Sequence, residues 1–249
     1  MGLYQATVAI TVGIFMMLAM GLNIITGYTG QVSLGHAAFF GIGAYTSALL
    51  SVKAGMSFWL ALPIAAAVTA AIGAILGAIS TRLHDDSLAI TTIGINFVVV
   101  SVFQYTQFFG GALGVGGIEY PSVLGRTLTK PEYLIVVVVC VLLGIWFDRR
   151  LVRSWLGLAL RAVGQNEEAA ESLGVPSAKF KISAFAIGTA YAGVAGSLYA
   201  HFMTFISARD FGFPTSISII SMAVFGGLGT LRGAILGSLA LGLAPEIFR

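Results

Sequence analysis

Polar side chains interrupt otherwise apolar stretches at Asn23, Gln31, Ser33, His36, Thr91, Thr92, Asn96 and Gln104. If those stretches lie in lipid, each polar group needs a partner in a bundle or a water-filled path, so these residues mark where a solute would be handled. Gln31, Ser33, His36, Thr92, Asn96 and Gln104 are the candidates to line a substrate pathway. Thr92, Asn96 and, more loosely, Gln104 recur at one-turn multiples, which fits either one wall of a pathway or helix-to-helix hydrogen bonds. Ser33 and His36 fall one turn apart if helical and have the types of a nucleophile and its base, the minimum for a membrane-embedded hydrolase. No orienting acid lies near them in sequence and a buried hydrogen-bonded pair uses the same residues, so no catalytic residue is assigned. No acidic residue falls within a long apolar run, which weighs against a proton- or sodium-coupled carrier.

Other reactive groupings are sparse. The lysines stand as Lys53-Ala54, Lys130-Pro131, Lys179-Phe180 and Lys181-Ile182, so no Walker A loop is present and any ATP must be hydrolysed by a separate subunit. His84-Asp85-Asp86 point to different sides of a turn and read as a solvated loop rather than a metal or proton relay. The single Cys140, inside the apolar run Val136–Leu143, supports neither a disulfide framework nor a cysteine metal site. His201, near the end of an apolar run, reads as an interfacial residue. No metal and no cofactor follow from these patterns.

The elements that position these residues must be membrane helices. The chain has 249 residues, 57% hydrophobic and 9% charged, against roughly 25% charged in an ordinary soluble domain. That balance excludes a water-soluble globular protein. Apolar runs free of internal charge occur at roughly 6–26, 32–52, 58–79, 88–109, 131–147, 182–206 and 216–247. A spanning helix needs about 20 residues, and a transmembrane barrel would show segments of about ten alternating residues. The fold class is therefore all-α, a polytopic transmembrane bundle occupying 1–249 as one domain with no room for a soluble catalytic unit. Glycine is abundant, at 32 residues, which suits closely approaching helices. A net charge of +3 is too small to argue for nucleic acid.

Arg149, Arg150, Arg153, Arg161, Lys179 and Lys181 all fall in the long polar connection 148–181, which the positive-inside rule places in the cytoplasm. Alternation then puts 110–130, 207–215 and both chain ends outside, and the 81–87 and 228–232 connections inside. Met1-Gly2-Leu3-Tyr4-Gln5 lacks the basic start of a removable signal peptide.

Two stretches are not plain helix: Gly27–His36, and Phe225–Gly233 near the end. Irregular backbone at membrane depth is tolerated where it is buried in protein or lines a water-filled cavity, and paired Gly-interrupted segments point to a transporter's substrate path. Short surface turns would read the same way.

Within 148–181, Leu151, Trp155 and Leu158 share one face of an expected helix over 149–161, with Arg150, Arg153 and Arg161 largely off it, as in a helix lying along an anionic leaflet. Next, Asn166 is placed to cap a short helix with Glu167 and Glu168 in its first turn, Gly174 suits its left-handed end, and Pro176 forbids continuation. The result is a helix of about two turns displaying Ala169, Ala170 and Leu173, which serves either as a plug for a groove on another protein or as a solvated connector.

Glu168-Ala169-Ala170 with Gly174 resembles the EAA loop of bacterial ABC-importer permeases. Gly21–Thr46, Arg161–Gly174, Ala192–Ala200 and Val224–Gly233 are similar, in the same order, to the motifs of LivM-type branched-chain amino acid permeases, so the resemblance spans nearly the whole chain. It implies a permease subunit of an ATP-driven importer in a bacterial-type inner membrane. The implied partners are a second homologous permease, two cytoplasmic ATP-binding subunits and an extracytoplasmic substrate-binding protein. It also implies an ATPase-coupling role for Asn166, Glu167, Glu168, Ala169, Ala170, Leu173 and Gly174. Members of that family continue past Pro245–Arg249 with another span, so the sequence is expected to be truncated there. A stand-alone channel or ion-coupled carrier for a small polar solute is the alternative.

Overall fold

A computed structural model describes residues 3–81, 83, 85–123 and 126–247; Met1, Arg82, His84 and Arg249 lie outside them, and with His84 the reading of His84-Asp85-Asp86. With no water in the hydrocarbon core, each span must satisfy its own backbone, and the long apolar runs accordingly fold as helices. These are α1 (Leu3–Leu22), α2 (His36–Ala54), α3 (Phe58–Ser80), α4 (Asp85–Tyr105), α5 (Lys130–Arg153), α6 (Trp155–Gln165), α7 (Glu167–Ser172), α8 (Ser177–Met203), α9 (Phe213–Gly226) and α10 (Leu231–Ile247). Among the described residues five helices are long and apolar enough to cross a membrane, and α9 with α10, bent by 120° at their junction, make a sixth candidate as a broken pair. In α5 the apolar stretch Leu134–Phe147 lies between charged ends, with Thr129 and Glu132 forming a capping box at its start.

The bundle is built around α8, which packs on α1, α2 and α3. Close approach depends on glycine: a methyl group on Gly43 would sit 2.5 Å from the Cα of Gly193, so α2 and α8 touch backbone to backbone. The hydroxyl of Thr189 donates to the Thr69 carbonyl at 3.0 Å, tying α8 to α3. Tyr133 and Tyr191 join α5 to α8 by donating to the carbonyls of Leu198 and Gly144, each at 2.7 Å.

At the end opposite the 148–181 connection, Val115 and Gly116 pair antiparallel with Ile206 and Phe205, holding the 106–129 connection over α8. His201 lies beneath this cover, fully buried rather than interfacial as its sequence position suggests. Its Nδ1 is 2.8 Å from the Glu119 carbonyl and its Nε2 3.1 Å from the Ser47 hydroxyl. The pairing of two distant connections buries it, which hydropathy along the chain does not encode.

The expected continuous helix over 149–161 is also corrected. Ser154, with φ −83° and ψ 166°, ends α5 and starts α6, accepting the Gly157 N–H at 3.3 Å and donating to the Leu151 carbonyl at 2.6 Å. Leu151 is therefore a buried residue of α5, whereas Trp155 and Leu158 are exposed on α6.

Candidate functional site

The first Gly-rich stretch is a break between α1 and α2. The last turn of α1 widens into a π-helix, Asn23–Tyr28, and the chain then runs irregularly to His36, with Gly30 at φ +72°. Gln31 is buried in this break and fully engaged. Its Nε2 donates to the Thr29 hydroxyl at 2.8 Å and to the Lys181 carbonyl at 3.4 Å, and its Oε1 accepts from Ser80 at 3.0 Å. It staples the break to α3 and α8, the helix-to-helix role that the sequence left open.

Side chains from other helices then cap the start of α2. The Leu34 N–H donates to the Thr92 hydroxyl of α4, and the Ala37 N–H to the Ser216 hydroxyl of α9, both at 3.0 Å. One turn along α4, Asn96 donates through Nδ2 to the Phe211 carbonyl at 3.1 Å, and its buried Oδ1 has no partner among the described residues. The buried Ser33 hydroxyl and both ring nitrogens of His36 also lack hydrogen-bond partners among the described residues. Ser33 lies in the irregular segment, so the helical spacing needed for a nucleophile and base is absent and the two side chains share no hydrogen bond. Thr92 thus caps the chain beside Ser33 and His36 and Asn96 lies one turn along α4, while the His36 Nε2 faces α1, 3.3 Å from where a methyl on Gly21 would lie. Gln104 stands apart, at a groove of about 210 Å³ lined by Leu113, Phe205 and Arg209 near the opposite end. Ser216 escaped sequence reading because a lone serine in an apolar run carries no spacing signal.

The second Gly-rich stretch is the turn between α9 and α10, made by Gly227 at φ +101° and Gly229 at φ +78°. It meets the first. The Gly229 N–H donates to Asn23 Oδ1 at 2.8 Å, and a methyl on Gly27 would lie 2.5 Å from the Gly229 nitrogen.

Against the same break rests the arm formed by α6 and α7. Gly164 of α6 lies on the backbone of Tyr28 and Thr29, where an added methyl would be 3.1 Å from the Thr29 Cα. The Arg161 guanidinium sits 5.4 Å from the centroid of the Tyr28 ring, and the Tyr28 hydroxyl donates to the buried Asp148 carboxylate at 3.1 Å.

In α7 the local expectations hold. Asn166 caps it, its Oδ1 accepting the Ala169 N–H at 2.9 Å. At the other end Gly174 adopts φ +82°, its N–H meeting the Glu171 carbonyl at 2.9 Å while the Val175 N–H reaches the Ala170 carbonyl at 3.0 Å, a Schellman closure. Glu168 and Ala169 are exposed, and Leu173 is 86% exposed. Ala170 is buried at 3%, so it seats α7 on its own chain instead of joining the displayed face. Lys181, with a side chain only 8% exposed, reaches Glu167 at 2.5 Å and ties α7 to α8. Burial pushes the Glu167 carboxyl up, but hydrogen bonding by Lys181 and Ser177 together with the Lys181 charge more than offsets it and holds the group below its ordinary value.

The family of branched-chain amino acid transport system permease components matches residues 4–249. The high-affinity branched-chain amino acid transport system permease protein LivM of Salmonella typhimurium is 33% identical over 95% of this chain and 61% of its own length, as is that of Escherichia coli K12. The corresponding LivH protein of Escherichia coli K12 is 25% identical over 94% of this chain and 81% of its own. The chain therefore spans 61% of the LivM relatives it matches. No solved structure matches.

Proposed function

The chain belongs to the branched-chain amino acid permease family and is a transmembrane permease component, and from that premise we propose that it is a membrane subunit of an ATP-driven importer for branched-chain or related amino acids. Its partners in this reading are a second homologous permease, two cytoplasmic ATP-binding subunits and an extracytoplasmic binding protein that delivers the solute to the cytoplasmic membrane. Similarity of this one chain to both LivM and LivH supports the paired-permease part.

One observation carries the reading: a helix closed at both ends by its own caps exposes Ala169 and Leu173 while its supporting arm rests on the backbone break that begins α2. Force on α7 would pass through Glu167 and Lys181 into α8, and through Gly164 into Tyr28–Gly30. Because no side chain intervenes at Gly164, displacement of α6 moves the break directly. The Thr92 and Ser216 bonds to the start of α2 are then the contacts exchanged between two states of the bundle, the differential interactions that any such switch requires. Ser33, His36, Thr92 and Asn96 line the proposed solute path, where the unpartnered Asn96 Oδ1 and His36 nitrogens would meet polar groups of the passing solute.

The test is recovery of an ATP-binding subunit with the tagged chain in detergent, with and without Leu173→Asp. Leu173 is exposed, so this substitution leaves the bundle intact, unlike one at the buried Ala170. Recovery lost on substitution supports coupling through α7; recovery of no ATP-binding subunit by the unsubstituted chain overturns the importer reading.

A further inference from the structure

A groove of about 530 Å³ lies at the end of α5 and is lined by Trp146, Arg149, Arg150, Arg153 and Ser154. We propose that it binds the phosphodiester headgroup of an anionic phospholipid in the leaflet facing the 148–181 connection.

Trp146 and the three arginines stand on one face of α5. Ile135, Val138, Val139, Leu142 and Trp146 are all exposed along it, an aliphatic stripe that the rest of the chain leaves uncovered. One turn beyond Trp146 the same face carries Arg149 and Arg150, and one turn later Arg153. Lys130, at the other end of α5, and Arg149 are separated by about 28 Å of helix rise, close to the roughly 30 Å hydrocarbon thickness. The stripe thus lies within the acyl region between the two charged ends of α5, Trp146 falls at the boundary where indoles concentrate, and the arginines fall at headgroup depth.

Their charge is unpaired among the described residues. Among the described residues the ion pairs are Arg126–Glu132 and Lys181–Glu167, and none involves Arg149, Arg150 or Arg153. The adjacent acid, Asp148, turns inward, fully buried and bound to Tyr28. Ser154 is consumed by the α5–α6 junction and leaves the groove to the guanidinium groups, whose planar donor pairs match phosphate oxygens. The break at Ser154 also swings α6 out so that Trp155 and Leu158, 70% and 63% exposed, present an apolar surface to the same boundary. Continuity with the lipid-facing stripe and the sign of the charge together select a lipid over a free anion.

The experiment uses the full chain with Trp59→Phe and Trp155→Phe, so that Trp146 is the sole tryptophan, reconstituted in phosphatidylcholine vesicles. Quenching of Trp146 by brominated phosphatidylglycerol is compared with quenching by brominated phosphatidylcholine. Each arginine near an anionic surface favours the charged lipid by about fivefold before screening, so an overall preference on the order of tenfold is expected. It should fall to near unity in Arg149→Gln/Arg150→Gln/Arg153→Gln, largely survive in the corresponding triple lysine variant, and resist excess inorganic phosphate. Equal quenching by the two lipids in the arginine protein overturns the proposal, as does a preference that survives the glutamine variant or is abolished by inorganic phosphate. Cross-linking of Arg150→Cys to an ATP-binding subunit would also overturn it, by giving the groove to a protein.

Discussion

Substitution of Gly174 tests whether α7 acts through its backbone closure. At φ +82° with no atom within 4 Å of the position a methyl would take, Gly174 has open space at its Cβ position but a conformation that L-residues resist. The cost of forcing that conformation is about 1–2 kcal/mol. Escape from it breaks the Gly174–Glu171 and Val175–Ala170 hydrogen bonds, each worth about 1 kcal/mol. Either route shifts the local closed-to-open ratio of α7 by a factor of roughly 5–30 while leaving the membrane helices untouched. Gly174→Ala and Gly174→Leu should therefore be equally damaging, and Gly174→Asn, which tolerates the left-handed region, milder. The assay is amide hydrogen exchange at Ala170–Val175, with whole-protein thermal unfolding in detergent as the control and recovery of an ATP-binding subunit as the functional readout. A much larger effect of leucine than of alanine would refute the backbone argument, since it would reveal steric contact where the structure has open space.

Glu167 is held below the ordinary carboxylate range, so its tie to Lys181 is fully present above that range and is lost as pH falls through the lowered folded value. Exchange protection of α7 should decline there, and Lys181→Met should remove that pH step. Gly43→Ala, facing the Gly193 backbone at 2.5 Å, should separate α2 from α8 and destabilise by about 1–3 kcal/mol or more. Gly94→Ala, with nothing within 4 Å, should be neutral or stabilising by up to about 1 kcal/mol; thermal midpoints in one detergent compare the two. Tyr28→Phe removes the hydrogen bond that, among the described residues, holds the buried Asp148, and should cost about 1–3 kcal/mol, whereas Asp148→Asn in that background should recover part of the loss.

The membrane helices and the ends of α7 were legible without a structure. Hydropathy over some twenty residues is enough to predict a span, because burying that much apolar surface in lipid outweighs any other preference of the segment. Asn166 as a cap and Gly174 as a left-handed terminus follow from contacts no more than five residues apart, which residue type alone anticipates. Likewise the absence of a phosphate-binding lysine motif is a property of neighbours in sequence.

The fate of each polar side chain within the spans was different. Gln31 and Ser33 look equivalent in the sequence, yet Gln31 finds Ser80 and the Lys181 carbonyl while Ser33 finds no hydrogen-bond partner among the described residues. Ala169 and Ala170 are identical residues side by side, yet one is displayed and the other seats the helix. His201 becomes buried only because two connections pair above it. Composition and short-range spacing by themselves determined what kind of protein this is and where its helices run, since those depend on the solvent and on near neighbours. The tertiary structure alone decided which polar groups remain open around the start of α2 and that the arm at Gly164 touches it, because those depend on partners tens to hundreds of residues away meeting at one point in space.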